Sequence, residues 1–133
     1  MSIYAVIDTN VIVSALLSKN DDAATVKVLD AVMDGRITPL YHETILGEYK
    51  EVLSRGKFRL REETIKTVFA ALQFYGKKTV PLPTGKLFAD LDDLIFYEVA
   101  VRENAYLVTG NQKHFPQEDF ILSPAQMVAI LER

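Results

Sequence analysis

Residues 4–17, YAVIDTNVIVSALL, decide the fold. The run from Ile3 to Ile7 reads as a short buried strand, and the run from Val11 to Leu17 as a helix. Between them stand Asp8, Thr9 and Asn10, with Asn10 the expected cap of that helix. A carboxylate at the end of a buried strand loses hydration and gives no packing in return. Asp8 therefore calls for a partner: a helix terminus, a cation or a metal.

The same alternation continues along the chain. Asp21 and Asp22 open a second helical stretch with Val26, Leu29, Val32 and Met33 on its apolar face and Gly35 as its stop. RITPLY is strand-like, and Pro39 places it near a sheet edge or a strand end. Helical spacing follows over residues 43–53 and 62–74, the latter closed by Gly76, and then KTVPLP reads as a short extended piece. Leu94 to Val101 is too apolar all round for a surface helix. AYLVT and FILS follow as strands, and Ser123 with Pro124 opens a last helix to Glu132. Strands alternating with helices predict an α/β fold, a mainly parallel sheet covered on both faces.

With 133 residues the chain suits one domain spanning residues 1–133, without repeats or linkers. No apolar run reaches the ~20 residues that cross a bilayer, and the N-terminus lacks a basic leader, so neither a membrane partner nor a secretory signal is expected. There is no cysteine, which removes disulfides, thiolate nucleophiles and Cys-zinc sites and fits a cytoplasmic location. A net charge of −3 argues against coating nucleic acid by bulk charge and leaves room for a local basic patch.

Ligands in open α/β sheets collect beyond the carboxyl ends of the strands, near the point where strand order reverses. Asp8 ends one strand; Thr109, Gly110 and Asn111 end another. Asp93 starts the buried helix leading into that second strand, and Glu48 lies mid-helix between Leu46 and Tyr49. Singly, each has a plain reading: aspartates such as Asp90 and Asp92 cap helices, helix glutamates are solvated, and Asn after Gly is a turn residue. Together they put acids at the two places where this architecture builds sites. Carboxylates without histidine or cysteine favour Mg²⁺ or Mn²⁺, because the ion relieves their repulsion. The chemistry that fits is phosphodiester hydrolysis on a nucleic acid.

The blocks AVIDTNVIVSALL, ILGEYKEVLSRGKF and DLDDLIFYEVAVRENAYLVTGNQKHF resemble the PIN domain, in particular the toxin components of bacterial toxin–antitoxin systems. The resemblance implies a three-layer α/β/α sandwich, Mg²⁺- or Mn²⁺-dependent ribonuclease activity on an RNA substrate, and a small antitoxin protein as partner. It implies Asp8, Glu48 and Asp93 as catalytic and metal-holding acids. Asn111 stands where the family often has a fourth aspartate; its amide oxygen can still ligate but brings no charge, and Asp90 or Asp92 could compensate. Thr9, Asn10, Asp92 and Thr109 fit roles orienting the carboxylates and water. A homodimer is also implied, with Val11, Ile12, Leu16 and Leu17 as apolar side chains that one sheet would not cover.

The stretch KEVLSRGKFRLR begins beside Glu48 and carries Lys50, Arg55, Lys57, Arg59 and Arg61. Of these, Lys50, Arg55, Lys57 and Arg59 are the candidate phosphate contacts for RNA, with Phe58 among them to stack on a base. His114, in KHF, is a loop histidine with no required part in the chemistry. A receiver domain would need an acid after a middle strand, and ITPLYHET offers none; a haloacid-dehalogenase-type phosphatase would need Asp-x-Asp where this chain has Asp-Thr-Asn. The alternative of another class is a PIN-like module that binds RNA or protein without cutting it, Asn111 marking a degenerate metal site.

Overall fold

The computed structural model describes residues 2–133. Five strands, β1 (Ile3–Ile7), β2 (Ile37–Tyr41), β3 (Lys77–Lys78), β4 (Tyr106–Val108) and β5 (Ile121–Leu122), form one sheet. Their spatial order is β3-β2-β1-β4-β5, and every neighbouring pair is parallel. Six helices cover the two faces: α1 (Thr9–Leu17), α2 (Ala24–Met33), α3 (Glu43–Leu53), α4 (Glu62–Tyr75), α5 (Leu91–Glu103) and α6 (Pro124–Leu131). The expected parallel α/β/α sandwich is the observed fold. Among the described residues no helix is long and apolar enough to cross a membrane.

Chain order runs outward from β1 to β3 on one side, then resumes at β4 on the other. The strand order therefore reverses between β1 and β4, and a crevice opens beyond their carboxyl ends. Ala5, Val6 and Ile7 of β1 and Leu107 and Val108 of β4 are buried, as expected for central strands with both faces covered. They fix the position of Asp8 and Thr109, the first residue after each strand.

Several local expectations shift. Asn10 does not cap α1: the helix begins at Thr9, and Asp8 holds the cap position with extended backbone and no side-chain capping bond. The Asp8 carboxylate instead takes a hydrogen bond from across the sheet, which a cap could not do as well. α2 starts at Ala24, and its buried face is Val28, Ala31 and Val32; Val26, Leu29 and Met33 lie at the margin. The small Ala31 belongs to that face and is fully buried, which counting large apolar residues overlooks. β2 is interior, yet Pro39 is tolerated. Ile3 N–H bonds the Arg36 carbonyl, so alternation turns residues 37, 39 and 41 toward β3, and that ladder begins only at Leu40.

Two glycines are required by space. Gly35 has φ +84, and a Cβ there would stand 2.8 Å from the Tyr75 ring. At Gly76 a Cβ would lie 2.0 Å from the Leu72 carbonyl oxygen and 2.6 Å from that of Pro39. This close approach lets α4 turn directly into the edge strand β3. At the other end, Ser123 and Gln126 form the reciprocal capping box of α6, with Pro124 in its first turn as expected.

The apolar residues of α1 do not form an open face. Val11 and Ile12 are buried in the core and Leu16 packs against it, leaving Leu17 exposed. The packing reason for expecting a homodimer is thus removed, because α2 and α3 cover what the sheet alone would not.

Candidate functional site: an acid-lined cleft at the switch point

A cleft of about 270 Å³ opens at the carboxyl ends of β1 and β4. Asp8, Thr9, Asn10 and Val13 come from the start of α1, Glu48 and Val52 from α3, and Phe58 from the 3-10 turn after α3. Asp90, Asp92, Asp93 and Phe96 come from the start of α5, and Asn111 and His114 from the segment after β4. Five carboxylates from three separate parts of the chain share this space. The helix α5 begins at Leu91, three residues earlier than its apolar run suggests, because Asp90 caps it by accepting from Asp92 N–H at 2.9 Å. That cap brings Asp92 and Asp93 into the first turn, where the helix dipole favours negative charge.

Hydrogen bonds hold the individual acids. Thr109, fully buried, donates its Oγ1–H to Asp8 Oδ2 at 2.7 Å, and the Asn111 backbone N–H donates to the same Thr109 oxygen at 3.0 Å. Thr9 donates its hydroxyl to Glu48 Oε2 at 3.2 Å. The buried Tyr49 hydroxyl donates to the Ile7 carbonyl, which fixes the residue before Asp8 to α3. Nothing in helical spacing separates a core tyrosine from one that ties a strand end.

The electrostatics follow from burial and crowding. Asp8 is 6% exposed, and loss of hydration pushes its carboxyl up, partly offset by the Thr109 hydrogen bond and nearby backbone N–H groups. Burial, then the neighbouring Asp92 charge, raises Glu48. Asp93 is pushed up to about 6, first by burial and then by the charges of Asp8 and Asp90. Among the described residues no lysine or arginine lines the cleft, and His114 has its Nδ1 3.6 Å from Asp93 Oδ2, beyond hydrogen-bond range.

The donor chemistry fits a hard divalent ion. The lining oxygens are carboxylates and amides, and Asn10 Oδ1 is buried with no hydrogen-bond partner, an orphaned acceptor of the kind a cation or its water would satisfy. The spacing is another matter: among the described residues no three acid or histidine side chains are gathered into a ready cage for one ion. Asn111 lines the cleft through an exposed side chain.

The basic stretch is divided. Lys50 faces a different groove, with Leu60, Ile65 and Phe69 between α3 and α4. Arg55 is paired with Glu51 at 2.8 Å, and Arg61 with Glu63 at 3.3 Å. Neither Lys50 nor Arg55 lines the acid cleft. Lys57 and Arg59 flank Phe58 and make no ion pair among the described residues. Lys50, two positions after Glu48 in α3, lies on another face of the helix, which linear proximity does not reveal.

Two comparisons bear on this geometry. No curated protein matches the chain. Residues 4–113 match the family model described as the PIN domain, a span that includes every acid of the cleft.

Proposed function

Because the chain belongs to the PIN domain family, whose members are generally metal-dependent nucleases, we propose that it is a Mg²⁺- or Mn²⁺-dependent endoribonuclease and the toxin half of a toxin–antitoxin pair. The observation that carries the enzymatic reading is the sharing of one cleft by five carboxylates, with burial raising Asp8, and burial and neighbouring negative charge raising Glu48 and Asp93. Such a cleft repels a polyanion unless a cation intervenes. A bound divalent ion supplies a Lewis acid for a phosphate oxygen and acidifies an attacking water.

The chain's own groups supply the rest. Asp8, Asp93 and Glu48 hold the ion, Asn10 Oδ1 and Asn111 extend the oxygen donor set, and Asp90 and Asp92 add charge at the rim. Thr109 and Thr9 fix the orientation of Asp8 and Glu48 through the hydrogen bonds described above. The toxin role rests on the resemblance of the three sequence blocks to PIN-family toxins. It implies a small inhibitory protein partner, encoded by a short reading frame adjacent to this one.

Two features favour a second reading, a PIN-like module that binds without cutting: among the described residues the acids do not form a ready cage, and Asn111 takes a position the family often gives to aspartate. Incubation of the purified protein with single-stranded RNA separates the two. The enzymatic reading expects endonucleolytic products with Mg²⁺ or Mn²⁺ and none in excess chelator; binding without cleavage under every metal condition establishes the second.

Thr109→Val tests the positioning of Asp8. The change keeps shape but removes the donor to Asp8 and the acceptor for Asn111 N–H. Loss of an outer partner of a ligating group costs ~10–100-fold in metal affinity or activity, so cleavage should fall by about that factor. Stability should fall by about 1 kcal/mol, because the buried Asp8 carboxylate loses a hydrogen-bond donor. Cleavage rates across a Mn²⁺ titration, with a denaturant melt, check both.

A further inference from the structure

We infer that Phe58 is the base-stacking platform of the cleft, seating an unpaired base next to the phosphate held by the acids. The inference rests on the ribonuclease reading above and names the residue that positions the base at that site. Phe58 is half-buried and lines the same cleft as Asp8, Glu48 and Asp93. It reaches there on the 3-10 turn Gly56–Phe58, which leaves α3 just past Glu48 and Val52. Arg59 follows with φ 53, a left-handed residue that reverses the chain so that Leu60 packs on the core while Phe58 stays at the cleft.

The surroundings of the ring suit a nucleotide. Lys57 Nζ lies 5.2 Å from the ring centroid, in cation–π range, and Lys57 is not among the residues lining the cleft. The ring thus lines the cleft while the ammonium that touches it does not. Lys57 and Arg59 are also the two cations of the basic stretch that neither pair with an acid nor turn to another groove. A backbone passing Phe58 toward the acids meets both. Aromatic stacking carries no sequence readout because every base has a π-face, so the platform selects strandedness rather than sequence. Paired bases keep their faces against their neighbours and cannot use it.

The test measures equilibrium binding of a short single-stranded oligoribonucleotide and of its duplex, with Ca²⁺ as a divalent ion that takes the same oxygen ligands. The strand carries a fluorescent adenine analogue whose emission is quenched by stacking. The parent is expected to bind the single strand and quench it. Phe58→Ala should weaken that binding on the order of tenfold and lose the quench, while Phe58→Trp keeps both and shows that the fold tolerates change there. Duplex binding should be weak and equal for all three. Lys57→Gln should lower the salt slope of single-strand binding by ~0.7, one phosphate contact, with Lys27→Gln, on α2 and outside the cleft lining, leaving it unchanged.

Cleavage of the same strand with Mn²⁺ is followed in parallel. If Phe58→Ala binds and quenches like the parent while Mn²⁺-dependent cleavage is present, the platform is overturned and the ribonuclease reading stands. If the parent neither cleaves the strand nor prefers it to duplex, the ribonuclease reading falls and the platform with it.

Discussion

Asp8→Asn is expected to remove RNA cleavage while leaving the fold intact and the metal-free protein at least as stable as the parent. The two halves share one cause. Asp8 is 6% exposed, and its buried carboxyl is held up mainly by lost hydration. A negative charge retained against that cost is useful only if something positive offsets it. The amide keeps the shape, and its oxygen can still accept the hydrogen bond that Thr109 now gives to Asp8 Oδ2. What disappears is the charge at the centre of the cleft. The loss of cleavage should exceed the ~100-fold upper range for an outer partner such as Thr109, because Asp8 is proposed to touch the ion itself. At neutral pH in chelator, removing one of five mutually repelling carboxylates should raise stability by on the order of 1 kcal/mol. A cleavage assay and a chelated thermal melt of parent and variant decide it. Cleavage by Asp8→Asn at the parent's rate would remove Asp8 from the site.

The fold was legible because hydrophobic period and turn chemistry agree along most of the chain. IYAVI could be little other than a buried strand, and Ser123-Pro124 states its helix start outright. Phase and boundaries were less legible. The buried face of α2 includes the small Ala31, and the start of α5 depends on an Asp90 cap rather than on apolar spacing. For the site, strand-end logic leads to Asp8 and Thr109, since a parallel sheet leaves few other places for a polar residue at that point. The Tyr49 tie to Ile7 and the orphaned Asn10 oxygen were not legible. Both depend on where a side-chain tip ends up, which sequence spacing does not encode. Charge spacing misled in one respect: a run of basic residues beside Glu48 suggested a common surface, and the helix and turn send Lys50, Arg55 and Lys57 in different directions.

Metal and pH should act on stability with opposite signs, and this is the larger thermodynamic effect expected of the cleft. In chelator the relevant groups are Asp93, raised to about 6, and Asp8 and Glu48, also raised. A carboxyl whose folded pKa lies above its unfolded value binds more protons when folded. Its contribution is fully present below the unfolded pKa, 3.8 for Asp93, and is lost as pH rises through about 6. Metal-free protein should therefore lose stability as pH rises from about 4 to about 6. Asp34 and Glu103, lowered by their hydrogen bonds to Arg36 and Lys77, work the other way but at lower pH, near the ordinary carboxylate range. With Mn²⁺ the order inverts. The ion takes the deprotonated acids, so its stabilisation grows over the same interval. At about 100 times its dissociation constant it should add ~2.7 kcal/mol, or roughly 10 °C for a domain of this size. Thermal melts at several pH values, with chelator and with Mn²⁺, should give curves of opposite slope. Asp93→Asn should flatten the chelated curve and shrink the Mn²⁺ shift. Parallel curves, or a Mn²⁺ shift that Asp93→Asn leaves intact, would mean that the ion binds elsewhere and that the cleft acids answer to another partner.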